Sequence, residues 1–181
     1  MFRTAKFLGK GYDRGQVEEF LEKARAAYEG TGGPANFGAA QVRAQGFRVV
    51  RRGYKFSEVD AAMDRLESAF VARARADHVA VNGHKAWMNL VAEQATTLYP
   101  RLLRPAGQRF AHPQGRERGY RVEDVDVLLD RLVEYFDDNK PLTSKEIRDS
   151  VFAEAKGNRA YLEGSVDAYL ARAVEVLLAV E

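Results

Sequence analysis

The sequence predicts a mainly α-helical protein of four degenerate units. Each unit is a turn followed by an amphipathic helix. The units pack as helix pairs, with one extra helix in a central insertion. Three observations carry this prediction. The first is a recurring Gly-Tyr with Val five residues after the Tyr and an acid six after. It occurs at Gly11-Tyr12 with Val17-Glu18, Gly53-Tyr54 with Val59-Asp60 and Gly119-Tyr120 with Val125-Asp126. Ala160-Tyr161 with Val166-Asp167 is a weaker fourth copy. Self-similarity at fixed spacing sets an architecture before any local reading. The second is the stripe that follows each Val at +3, +4, +7 and +11. It reads Phe20, Leu21, Ala24, Tyr28; then Ala62, Met63, Leu66, Phe70; then Leu128, Leu129, Leu132, Phe136; then Tyr169, Leu170, Ala173, Leu177. That spacing is one face of an α-helix. The third is the Tyr-to-Tyr spacing: 42 and 41 residues within the outer pairs, but 66 between Tyr54 and Tyr120. The excess marks an insertion, and the matched spacings predict that copies one and two pair within the chain, as do copies three and four.

The elements follow in order. A helix is predicted over 14–29, with Asp13 as N-cap and the acid beside each Val complementing the helix dipole. Gly30, Gly32, Gly33 and Pro34 break it. A short helix over 39–45 leads to an extended segment over 47–52, where Val49 and Val50 favour strand. The next helix is predicted over 57–76, capped by Ser57. Asn82-Gly83 signals a stop. Trp87, Leu90, Val91 and Leu98 form one further helix face, ended by Pro100. A helix over 123–137 follows Gly119-Tyr120, and Thr143 with Glu146 forms a capping box. The last helix covers 164–180. Domain boundaries are expected at 1–76 for copies one and two, 77–105 for the insertion and 106–181 for copies three and four.

Composition narrows the function. Hydrophobic residues make up 46% and charged residues 30%, an ordinary globular balance. No apolar run reaches the roughly 20 residues of a membrane span, and the N-terminus lacks a secretory h-region, so the cytoplasm is the default expectation. Without cysteine there is no disulfide and no thiolate metal ligand. The net charge of +2 hides an asymmetry. Residues 41–121 carry 15 Lys/Arg against 7 Asp/Glu, and residues 122–154 carry 4 against 10. Such a split suits an acidic partner or self-association through unlike faces.

The ordered pattern is Ile/Val-Arg, Phe, basic residues, Gly-Tyr, Val-Asp and an apolar helix. Val42-Arg43 ahead of Phe47 and Ile147-Arg148 ahead of Phe152 supply its first part. It resembles the N-terminal domain of the bacterial DivIVA cell-division and polar-growth family, in a multi-repeat form. The resemblance covers most of the chain outside 77–105. It implies a non-enzymatic scaffold or adaptor that is cytoplasmic or peripheral at the inner face of the membrane. Its implied partners are division or cell-envelope proteins, anionic membrane and further copies of the chain. It also implies membrane or partner binding by exposed Phe and basic residues ahead of each Gly-Tyr. By position these are Phe2, Arg3 and Lys6; Phe47, Arg48, Arg51 and Arg52; Phe110, Arg116 and Arg118; with Phe152, Lys156 and Arg159 in the fourth copy. Phe7 joins Phe2 in flanking the first basic pair. The sequence departs from the family at the residue after Tyr, an acid only at Asp13, with Lys55, Arg121 and Leu162 elsewhere. With the sequence ending at Glu181, the long C-terminal coiled coil of the polar scaffolds is not expected.

No catalytic constellation, cofactor motif or metal site is expected. His78 and His84 lie six apart and do not share a helical face. Gly9-Lys10-Gly11 lacks phosphate-loop spacing. Taken singly, each Phe ahead of a turn is more simply a core residue; their repetition beside Lys/Arg is what suggests an interfacial anchor. The other reading is a nucleic-acid or nucleoprotein binder using the basic 41–121 segment, which steep salt dependence would reveal.

Overall fold

The computed structural model describes residues 2–6, 9–34 and 36–181 and is mainly helical. Phe7 lies outside the described residues. The chain divides into two compact units, Met1–Ala80 and Val81–Glu181.

The first unit runs β1 (Lys10–Tyr12), α1 (Arg14–Glu29), α2 (Ala39–Ala44), β2 (Val49–Arg51) and α3 (Phe56–Asn82), whose last turn crosses the unit boundary. Asp13 caps α1 by accepting the Gln16 N–H at 3.2 Å. Gly30 ends the helix in the left-handed region at φ 71°, where a residue without Cβ is favoured. The α1 stripe buries Val17, Phe20 and Ala24. Phe20 and Ala24 meet Val42 of α2 and Phe70 of α3, with Met63 and Leu66 against them. Val17, Tyr54 and Val59 form a second cluster under Phe2 and Tyr12. Two expectations are corrected. Helix α3 begins at Phe56, with Glu58 and Val59 donating to the Lys55 carbonyl, so Ser57 lies inside the first turn and is not the cap. The helix also runs past 76 to Asn82, because no breaker intervenes before Gly83 at φ 83°.

The second unit runs α4 (His84–Thr96), α5 (Tyr99–Leu102), β3 (Arg118–Arg121), α6 (Val122–Asp138), α7 (Ser144–Arg148), β4 (Glu154–Lys156), a 3-10 turn over Gly157–Arg159, β5 (Ala160–Tyr161) and α8 (Glu163–Val180). The segment expected as an insertion over 77–105 divides between the units, 77–80 in the first and 81–105 in the second. Trp87 of α4 donates its indole N–H to the Ala179 carbonyl of α8 at 2.9 Å. Tyr169 of α8 donates to the Leu98 carbonyl at 2.9 Å. Tyr99 packs its ring on Phe136 of α6 and donates to Asp137 at 3.0 Å. Helix α8 buries Val174, Val176, Leu178 and Ala179 beyond its main stripe. It therefore needs cover on more than one face, and α4 and α5 supply part of it. Pro100 sits in the first turn of α5 and starts that helix instead of ending the preceding one.

The capping box forms as expected. The Glu146 N–H donates to Thr143 Oγ1 at 3.2 Å, and the Thr143 N–H donates to Glu146 Oε2 at 2.9 Å. The Arg131 guanidinium, with the Thr143 donors, holds the Glu146 carboxyl at about 2. A lowered folded value means that this contribution is complete above the ordinary Glu value near 4.5. It is lost as pH falls through about 2. An NMR titration should show the Glu146 carboxyl and the Thr143 amide moving together near pH 2, with no step between 4 and 5. A midpoint in the ordinary range would show that the box does not hold in solution.

Candidate functional site

The site is built on the tyrosine turns, Gly-Tyr in three copies and Ala160-Tyr161 in the fourth, which meet in pairs inside each unit. In the first unit β1 and β2 are antiparallel, with Lys10 opposite Arg51, Gly11 opposite Val50 and Tyr12 opposite Val49. Beyond β2 the chain folds back so that Tyr12 and Tyr54 each donate N–H to the other's carbonyl, at 2.9 and 2.8 Å. A Cβ on Gly11 would stand 2.2 Å from the Tyr54 carbonyl oxygen, and one on Gly53 2.3 Å from that of Tyr12. Only glycine permits that approach. In the second unit β3 lies between β4 and β5, with Tyr120 opposite Glu154 on one side and Tyr161 on the other. A Cβ on Gly119 would stand 2.0 Å from the Tyr161 carbonyl oxygen.

The side chains then cross within each pair. Tyr54 donates its hydroxyl to Glu18, and the Tyr12 hydroxyl is hydrogen-bonded to Asp60. Tyr161 donates to Asp126 at 3.1 Å, and Tyr120 is hydrogen-bonded to Asp167. Each tyrosine thus reaches the acid that lies six residues after the other tyrosine. The rings cross too. Phe2 packs on Tyr54, Phe47 on Tyr12, Phe110 on Tyr161 and Phe152 on Tyr120, with centroids 5.3, 5.5, 5.3 and 5.1 Å apart. One backbone bond occurs in all four places: the residue after Tyr donates N–H to the carbonyl of the residue after that Phe. These are Asp13 to Arg48, Lys55 to Arg3, Arg121 to Ala153 and Leu162 to Ala111, at 2.8, 3.0, 2.7 and 2.9 Å. The spacing of Tyr, Val and acid therefore has a second cause besides the helix dipole. The Val seats the helix, fully buried at Val17, Val59, Val125 and Val166. The acid receives the opposite phenol. All four phenols are held above their ordinary range, Tyr54 chiefly by its hydrogen bond to Glu18, the others chiefly by burial.

The sequence-derived site residues fall into two groups. Phe110 is 3% exposed, walled by Tyr161 and Tyr169 with the Arg101 guanidinium 4.7 Å from its ring centroid. The expectation that it is an exposed anchor is overturned, because its ring is buried against Tyr161 of the paired turn and Tyr169 of α8. Phe2 and Phe47 are half-buried and belong to the core clusters. Among the cations, Arg3 pairs with Glu58, Arg48 with Asp13 at 2.6 Å and Arg118 with Glu154. Lys6, Arg51, Arg52 and Arg116 are exposed. Phe110→Ala should cost about 3–5 kcal/mol by leaving a cavity against two tyrosines. Urea unfolding of the variant measures this; a loss below about 1 kcal/mol would return Phe110 to the surface.

Sequence reasoning missed Arg109. It is buried and donates to the Asp126 main-chain carbonyl at 3.0 Å and to the Asp130 carboxylate, while its own N–H donates to the Tyr161 hydroxyl oxygen at 3.2 Å. Only its proximity to a Phe-Tyr unit could have drawn notice. Among the described residues no helix is long and apolar enough to cross a membrane, and no cluster of three His, Asp or Glu side chains could hold a metal ion. No family model matches the chain, and neither the curated proteins nor the solved structures contain a match.

Proposed function

We propose that the chain is a non-enzymatic adaptor of DivIVA-like type that binds protein partners at division or cell-envelope sites from the cytoplasmic side. The observation that carries this reading is the reciprocal pairing of Gly-Tyr turns, with each Tyr bonded to the acid of the other copy. Family members pair such units between chains. Here two pairs lie within one chain, one in each unit, an arrangement that suits an adaptor. Peripheral contact with anionic membrane would have to rely on the cations beside the turns, since Phe110 is committed to the core. The nucleic-acid alternative draws on the cations of the basic 41–121 segment. Arg48 and Arg73 form ion pairs with Asp13 and Asp77, and Arg101 lies over Phe110.

A fluorescently tagged copy in dividing bacterial cells tests the reading, with cross-linking to identify what it touches. The expected result is enrichment at septa or poles and cross-links to envelope or division proteins. Nucleoid localisation, together with nucleic-acid binding that falls steeply with salt, would replace it with the alternative.

A further inference from the structure

The two units treat one surface position differently. Each places two cations directly opposite each other in its ribbon: Lys10 with Arg51, and Arg118 with Lys156. Like charges so placed repel and destabilise a strand pair. The second unit relieves this from within. Glu154, opposite Tyr120, pairs with Arg118. The matching position in the first unit, opposite Tyr12, is Val49, which is 50% exposed. Among the described residues neither Lys10 nor Arg51 forms an ion pair. The nearby carboxylates are engaged: Asp13 with Arg48, Glu58 with Arg3 and Asp60 with the Tyr12 hydroxyl. Tyr12, opposite Val49, has the Phe56 ring edge-on to its own, 4.7 Å between centroids, and Phe56 is 38% exposed.

The strand edge is free as well. Among the described residues β2 has a strand neighbour on one side only. Asp13 donates to the Arg48 carbonyl and Arg52 donates to the Gly9 carbonyl. The alternation of an antiparallel ladder then turns the Val49 and Arg51 backbone groups outward. An open edge of this kind recognises an extended peptide; a lipid surface makes no use of it.

We propose that the first unit binds an extended acidic segment of a protein partner on the outer edge of β2. A carboxylate sits against Arg51 within reach of Lys10, and an apolar side chain two residues away lies over Val49 and Phe56. The partner supplies the carboxylate that Glu154 supplies in the second unit. This rests on the adaptor reading above and names the chemistry of its partner.

Selection of linear peptides from a display library on the full chain tests it. Enriched peptides should carry Asp or Glu two positions from an apolar residue. They should bind Lys10→Ser/Arg51→Ser about tenfold or more weakly, as expected when a recognised charge loses its partner. Val49→Glu should weaken binding similarly by filling the site in cis. Both variants change exposed side chains, and unchanged circular dichroism and melting would show that they fold. Failure to enrich any peptide, enrichment without an acid, or affinities for both variants close to the parent's would overturn the proposal. So would binding to phosphatidylserine vesicles in place of peptides. If cross-linking to cellular partners persists in Lys10→Ser/Arg51→Ser, the adaptor reading stands and this surface falls.

Discussion

Gly119→Ala is expected to prevent the Val81–Glu181 unit from folding stably, and Gly11→Ala to do the same to Met1–Ala80. The added Cβ would lie 2.0 Å from the Tyr161 carbonyl oxygen in the first case and 2.2 Å from that of Tyr54 in the second. In both places the obstacle is backbone inside a hydrogen-bonded pairing, so no side chain can swing away. Overpacking usually costs about 1–3 kcal/mol, and a clash with fixed backbone falls at or beyond the top of that range. Domains are stable by only about 5–15 kcal/mol. Separating the turns would also break the tyrosine–carboxylate bonds that depend on them. Gly164→Ala is the control, since a Cβ there meets nothing within 4 Å and the residue lies in α8. It should be neutral or stabilising by up to about 1 kcal/mol. Urea unfolding followed by near-ultraviolet circular dichroism reads all three. If Gly119→Ala melts with the parent, the turns do not approach as described.

What was legible in the sequence is what local periodicity can carry. The helices α1, α6 and α8 stand within a residue or so of their expected bounds, because each combines an apolar stripe with a start signal at fixed distance from a Tyr. The pairing of turns was readable from the spacings of 42 and 41 residues. The crossing of the side chains was not. An acid beside a buried Val is already explained by the helix dipole, so nothing local hints that Glu18 meets Tyr54 or that Asp126 meets Tyr161. The Phe residues ahead of the turns were ambiguous for a similar reason. A Phe beside arginines fits an exposed anchor and a core ring equally well, and the choice depends on a tyrosine some tens of residues away. The 77–105 segment looked separate because it interrupts the spacing. The signal that its 81–105 part belongs with α8 lies in α8 itself, where Val174, Val176 and Leu178 are apolar off the main stripe and require a second cover.

Arg109→Met should be the most destabilising change of a single charged residue in the Val81–Glu181 unit. Arg109 looks like one more surface cation in a basic segment, yet it is 6% exposed. Its guanidinium lies 3.6 Å from an Asp126 carboxylate oxygen and bonds to the Asp130 carboxylate. Asp126, equally buried, also accepts the Gly107 N–H at 2.7 Å and the Tyr161 hydroxyl. Removing the cation leaves a buried carboxylate with neutral donors only. Breaking a buried ion pair on one side typically costs about 3–5 kcal/mol, a large share of a domain's stability. Asp126→Asn should cost less, because the amide oxygen can still accept from Gly107 while Arg109 keeps Asp130. The double variant Arg109→Met/Asp126→Asn should cost less than the two single changes added together, since an amide does not require the cation. Equilibrium urea unfolding of the four proteins closes the cycle. Strict additivity, or an Arg109→Met loss within about 1 kcal/mol of the parent, would show that the pair is not coupled and that water reaches Asp126 in the folded protein.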